Sequence, residues 1–150
     1  MTDALLVHGT AVAIDGEAVL FRGPPGVGKS DLALRLIDAG GRLVADDQAV
    51  LRRAGDQVLV RAPSVIAGLI EIHGFGIVRV ETMDEAPLAL IVDLLPSGQI
   101  ERIPEPRIET VLGLAVPLLA LAPFEAAAAA KLRLVRRALA AGGLPAIIGR

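Results

Sequence analysis

The sequence predicts an α/β domain: a mixed β-sheet with one helix behind a glycine-rich loop and a second helix near the C-terminal end. Three observations predict it. The stretch Gly23-Pro24-Pro25-Gly26-Val27-Gly28-Lys29-Ser30 separates an apolar run of strand length, Ala18–Phe21, from a good helix former, Asp31–Asp38. Short apolar runs recur along the chain, cut by Gly, Pro and Asp turn signals. A long alanine- and leucine-rich run, Pro123 to Ala141, carries its basic residues toward its C-terminal end.

Composition narrows the classes. The 150 residues suit one domain with a real core, spanning residues 1–150. The chain is 53% hydrophobic with a mean hydropathy of +0.61, but much of this is alanine, and no uninterrupted apolar run is long enough to span a membrane. Aromatic residues make up 2%, so the core must be aliphatic. A net charge of −2 gives no sign of general nucleic-acid affinity. With no cysteine, disulfides and thiolate metal sites are excluded. Met1-Thr2-Asp3-Ala4 offers no basic region ahead of an apolar stretch, so the expectation is a cytoplasmic enzyme.

In chain order, Leu5–His8 and Thr10–Ile14 read as a strand pair or one bent strand. Asp15-Gly16 is a hairpin signal into Glu17–Phe21, giving the strand before the glycine loop an antiparallel neighbour. Ala39-Gly40-Gly41 stops the helix that follows the loop. Arg42–Ala45 is a short buried strand ending in Asp46-Asp47. Gln48–Arg53 and Gln57–Arg61 flank Ala54-Gly55-Asp56 as a β-hairpin. Glu71 lies in the apolar run Ala67–Ile77, Asp84–Pro87 is a break, and Leu88–Leu94 is a strand. Val116–Leu121 is a last strand compromised by Pro117. Pro123 suits the first turn of the closing helix, Glu125 favours its N-terminal dipole, and Gly142-Gly143 stops it. Its basic residues, Lys131, Arg133, Arg136 and Arg137, read as a solvated face, with docking of an acidic partner as the alternative.

The glycine loop fits G-x-x-x-x-G-K-[ST] in its required strand–loop–helix context. Gly23, Gly26, Val27 and Gly28 would close backbone N–H groups around phosphate oxygens, and the helix N-terminus adds partial positive charge. Lys29 would reach the β- and γ-phosphates, and the Ser30 hydroxyl would help hold Mg²⁺. Acids at a neighbouring strand end belong near that metal. Adjacent side chains on a strand point to opposite faces, so Asp46 and Asp47 should divide the work between the metal and a nucleophile. Asp93 is a weaker competitor for the metal side. Glu71 inside an apolar run needs a cation or donors; the residues alone leave a metal or catalytic role and a structural one both open. His8 alone reads as structural, and Arg102 alone as a surface charge.

The order His8-Gly9, GPPGVGKS, LVADD and IEIHGFGI resembles the catalytic domain of HPr kinase/phosphorylase over nearly the whole chain, in a short form without the N-terminal domain. The resemblance implies a P-loop domain akin to phosphoenolpyruvate carboxykinase, assembled as a hexamer. It implies ATP- and Mg²⁺-dependent phosphorylation of a serine on HPr, the phosphocarrier of the sugar phosphotransferase system, or on a nitrogen-type relative. It also implies the reverse-sense phosphorolysis of that seryl-phosphate. By the match, Ser30 and Glu71 fall on Mg²⁺-binding positions and Lys29 on the phosphate-binding lysine. Asp47 falls on the general base, His8 on an active-site histidine, and Arg102 on the catalytic arginine.

Two departures stand out. His73 replaces the arginine of the family's L-E-I-R-G-x-G-I signature, giving up a fixed bidentate charge. Ala122-Pro123-Phe124-Glu125 stands where the family has Pro-Gly-Arg-Asn. These departures keep open a nucleotide-sensing regulatory module that transfers nothing. A small-molecule kinase predicts a helical, arginine-rich lid, whereas residues 48–100 read mostly as strands.

Overall fold

The computed structural model describes residues 4–142. Its first two strands, β1 (Ala4–His8) and β2 (Thr10–Ile14), do not pair with each other. β2 lies between β3 (Glu17–Arg22) and β4 (Arg42–Ala45), antiparallel to both, while β1 pairs antiparallel with β5 (Gln48–Ala54). Gly9 makes the break, and a side chain there has no room: a methyl group would lie 2.9 Å from both Leu20 Cδ1 and the Phe21 carbonyl oxygen. The β2–β3 hairpin forms as expected. Ile14 faces Glu17 across Asp15 and Gly16, whose φ values of 52° and 82° are those of a type I′ turn.

The nine-stranded sheet runs β1-β5-β6-β9-β3-β2-β4, with β6 at Gln57–Arg61 and β9 at Glu85–Leu94. β9 is the hub. Glu85–Pro87 pair antiparallel with β6, its middle pairs parallel with β3, and Ile91–Leu94 pair parallel with β11 (Leu114–Leu121), which carries β10 (Arg107–Val111). Glu85–Pro87 are therefore strand, not a break. Pro117 does not compromise β11 either. It lies opposite Ile108 of β10, and the parallel pairing with β9 starts one residue later, at Leu118.

The central strands are buried on both faces, so their alternation sorts side chains into two cores. Val12, Val19, Phe21 and Val92 meet Leu32 and Leu36 of α1 (Lys29–Asp38) and Leu132 of α2 (Ala128–Gly142). Ala11, Ala18, Leu20 and Ile91 face the other way, where the sheet curls and Leu51, Val60 and Val116 close over them. Two helices thus cover one face of a curled mixed sheet, and the sheet itself covers the other.

The helix ends show how the loops are held. Gly40 (φ 105°) and Gly41 close α1, their N–H groups donating to Ile37 O at 3.0 Å and Leu36 O at 2.8 Å. α2 starts at Ala128, not Pro123. Arg35 of α1 donates to the carbonyls of Pro123 and Glu125, which ties this segment to α1, and residues 123–127 form turns and a bend ahead of α2. α2 runs to Gly142; Gly143 of the expected stop lies outside the described residues. One residue of its basic face is an anchor: Arg136 is 4% exposed and bonds Glu17 at 2.7 Å.

β7 (Leu69–Ile72) and β8 (Gly76–Arg79) form a separate two-stranded sheet. The chain after it runs along β4: Leu43 N–H donates to Glu81 O at 3.2 Å and Met83 N–H to Leu43 O at 3.0 Å. This fastening sets β7 beside the carboxyl end of β4.

Candidate active site

β3 and β4 are both antiparallel to β2, so their carboxyl ends lie at the same end of the sheet. The glycine loop leaves β3 there, and the two acids leave β4 there. Gly28, in the left-handed region at φ 111°, is the N-cap of α1 and brings no capping side chain. The first amides of the ten-residue helix therefore receive no cap from the Gly28 side, and among the described residues no side chain accepts from them. Gly23 cannot carry a side chain, because a methyl group there would lie 2.7 Å from Val27 Cγ1. Lys29 is buried, and its ammonium donates to the carbonyls of Gly23 at 2.7 Å and Pro24 at 3.2 Å. An ammonium has three donors, and these bonds account for two of them.

Asp46 is the centre of the polar network and is only 7% exposed. Its Oδ1 accepts from Ser30 Oγ at 2.7 Å and Thr10 Oγ1 at 3.0 Å, and its Oδ2 accepts from the Glu71 N–H at 3.1 Å. These donors stabilise a carboxylate that would otherwise be costly to bury. The Ser30 proton is committed to Asp46, which leaves the serine oxygen's lone pairs facing elsewhere. Thr10 also accepts from the Asp47 N–H at 3.1 Å, so one hydroxyl fixes both acids.

Asp47 differs from its neighbour in exposure and in the partners of its side chain. It is exposed, its φ is 69°, and its side chain has no hydrogen bond or ion pair among the described residues. The two acids do diverge, but the cause is not strand alternation. β4 ends at Ala45, and the left-handed turn at Asp47 sends the pair apart. The Gly9 N–H donates to the Asp47 carbonyl at 2.9 Å, and His8 pairs with Gln48, so the exposed His8 lies on the strand next to Asp47.

Of the remaining sites, Glu71 departs from the expected burial, while Arg102 and Asp93 lie as the residues alone suggest. Glu71 is exposed, because Ile70 and Ile72 turn inward and the residue between them turns out. Its backbone, not its carboxylate, reaches Asp46. Arg102 lies in the exposed loop before β10, and no hydrogen bond or ion pair among the described residues joins it to the acids. Asp93 is taken up by Arg22, the last residue of β3. Arg22 Nε bonds Asp93 at 2.8 Å and its two terminal nitrogens bond Glu109 of β10 at 2.6 and 2.8 Å. These bonds, Glu109's foremost, raise the guanidinium pKa above its ordinary value and keep Arg22 charged. Among the described residues no three His, Asp or Glu side chains converge as a ready metal site. Sequence reasoning missed Thr10 and Arg22. A hydroxyl opening an apolar strand and an arginine directly before the glycine loop were the signals.

Fold and site together define an α/β domain built around a glycine loop, with an acid-bearing strand end beside it. The family model of the HPr Serine kinase C-terminal domain matches residues 1–121. The chain is 51% identical over 78 residues to the HPr kinase/phosphorylase of Exiguobacterium sp. strain AT1b, covering 51% of this chain and 25% of the relative. It is 41% identical over 108 residues to that of Geobacillus sp. strain WCH70, covering 65% of this chain and 35% of the relative. These matches thus take in about a quarter to a third of the relatives' length. The solved Hpr(Ser) kinase/phosphatase from Coxiella burnetii superposes with a TM-score of 0.80 at 29% identity, covering 89% of this chain and 94% of that one. The chain belongs to the HPr serine kinase C-terminal domain family.

Among the described residues no helix is long and apolar enough to cross a membrane.

Proposed function

We propose that this chain is an ATP- and Mg²⁺-dependent protein serine kinase whose acceptor is an HPr-type phosphocarrier. One observation carries the reading. Of two adjacent acids, Asp46 is buried and bonded to Ser30 at 2.7 Å, while Asp47 stands exposed and unpaired among the described residues. Phosphoryl transfer asks a protein for positioning and charge stabilisation, plus one group to take the acceptor's proton. The glycine-loop amides and Lys29 bind the phosphates. Ser30 Oγ, its proton held by Asp46, offers an oxygen to a cation. Mg²⁺ takes few protein ligands and shares its shell with phosphates and water, so an all-protein cage is not required. Asp46, Ser30 and the exposed Glu71 carboxylate are the hard oxygen donors that fit it. Bound there, Mg²⁺ would neutralise charge on the phosphate oxygens.

Asp47 orients the serine hydroxyl and takes its proton as general base, with His8 beside it. In the reverse sense, inorganic phosphate attacks the seryl-phosphate phosphorus and leaves as pyrophosphate, while the protonated Asp47 gives its proton to the departing serine oxygen as general acid. Arg102, on its exposed loop, would contribute by reaching the transferred group when the acceptor docks. The likeness to phosphoenolpyruvate carboxykinase, action of residues 1–150 as one catalytic domain, assembly as a hexamer, a cytoplasmic location and control of phosphotransferase-system metabolism belong to the same reading.

The test is direct. ATP, Mg²⁺ and purified HPr-type protein from the same cell are incubated with the chain, and the carrier is read by mass spectrometry. One added phosphate on a serine is expected. ATP bound with no phosphoserine formed would overturn the kinase and favour a sensor.

A further inference from the structure

Across the carboxyl edge of the sheet the acids lie on one side of the glycine loop. On its other side, β9 and β11 run parallel to β3, with Arg22 level with Asp93 and Asp93 level with Ala120. The loops that leave these strands, Leu95–Ser97 and Ala122–Glu125, border an open cleft of about 270 Å³. Crevices outside the carboxyl ends of parallel strands are where α/β sheets take ligands. The volume falls just short of whole-ligand pockets, about 300–1,000 Å³, and suits one flat ring.

Phe124 lines this cleft and is 70% exposed, yet it also touches the glycine loop. A methyl group on Gly28 would lie 2.9 Å from Phe124 Cζ and 3.2 Å from Pro123 Cγ. The segment is held there by α1 itself, since Arg35 Nη1 donates to the Glu125 carbonyl at 3.2 Å and its other terminal nitrogen to that of Pro123. An exposed aromatic ring is thus fixed beside the helix N-terminus that would bind phosphate.

We propose that this cleft is the nucleobase subsite, with the Phe124 ring stacking on the purine of ATP. The proposal rests on the reading of Gly23–Ser30 as the phosphate site. With the transferred phosphate toward Asp47, a nucleoside that leaves the loop on the β9 side meets this cleft. Stacking suits the residue, because every base offers a π-face to an aromatic ring.

The test uses the full chain and two probes, Mg·ATP and Mg·tripolyphosphate, titrated calorimetrically. Phe124→Ala should weaken ATP binding about tenfold, a typical loss for one stacked base, and leave tripolyphosphate binding within about twofold. The sequence contains no tryptophan, so Phe124→Trp installs a single reporter at the cleft. Its fluorescence should be quenched by ATP and unmoved by tripolyphosphate, with ATP affinity retained. Equal weakening of both probes in Phe124→Ala, or a tryptophan that ignores ATP, would overturn the subsite. The kinase reading fails separately: ATP binding that depends on Phe124, without phosphoserine on the carrier, would sink the transfer and leave the subsite standing.

Discussion

The two flanks of the glycine loop are built on opposite principles. On the acid flank, Thr10, Ser30 and the Glu71 amide converge on a buried Asp46, each within 3.1 Å. On the far flank, Ala122–Glu125 are held by Arg35 through backbone carbonyls and present an exposed ring. Buried, mutually satisfied polar groups rigidify a site, and they also make each member costly to remove. A segment held through its backbone tolerates change in its side chains. The difference teaches where substitutions should destroy chemistry and where they should retune binding. The departure from the family's Pro-Gly-Arg-Asn falls on the tolerant flank.

The comparison sharpens into expectations of decreasing size. Asp47→Asn should lower serine phosphorylation about 10²- to 10⁴-fold, the range for removing a general base, in a rate assay on the carrier. Its exposed side chain predicts an unchanged melting temperature. A variant that kept its rate would show that the exposed acid does not do the chemistry. Lys29→Ala should weaken ATP and tripolyphosphate alike, by more than tenfold, in the same calorimetric titration. Weakening of ATP alone would move the lysine away from the phosphates. Thr10→Val should cost about 1–3 kcal/mol in urea unfolding, because Asp46 and the Asp47 amide both lose a partner. A neutral result would mean that water replaces the hydroxyl and that the acid flank is looser than its hydrogen bonds imply.

The sequence made the local features legible. The glycine loop, the β2–β3 and β5–β6 hairpins and the stop of α1 each depend on a few consecutive residues. Pairing between distant strands does not, so β1 on β5 and the three-way role of β9 were out of reach. Reading Ala67–Ile77 as one apolar run puts the Glu71 side chain inside, whereas the structure exposes it. The alternation of Ile70, Glu71 and Ile72 already pointed the carboxylate outward. Pro123 was a sound N1 signal overridden by a tertiary contact, because Arg35 draws the preceding segment against α1. The division between Asp46 and Asp47 was anticipated, but its cause, a left-handed residue, leaves no mark in the sequence.

That division is the central claim, and one paired measurement tests it most directly. Mg·ATP is titrated into Asp46→Asn and into Asp47→Asn. The account predicts that Asp46→Asn loses most of the Mg²⁺-dependent part of the affinity, while Asp47→Asn binds within about twofold of the unaltered chain. Equal losses in the two variants would contradict it.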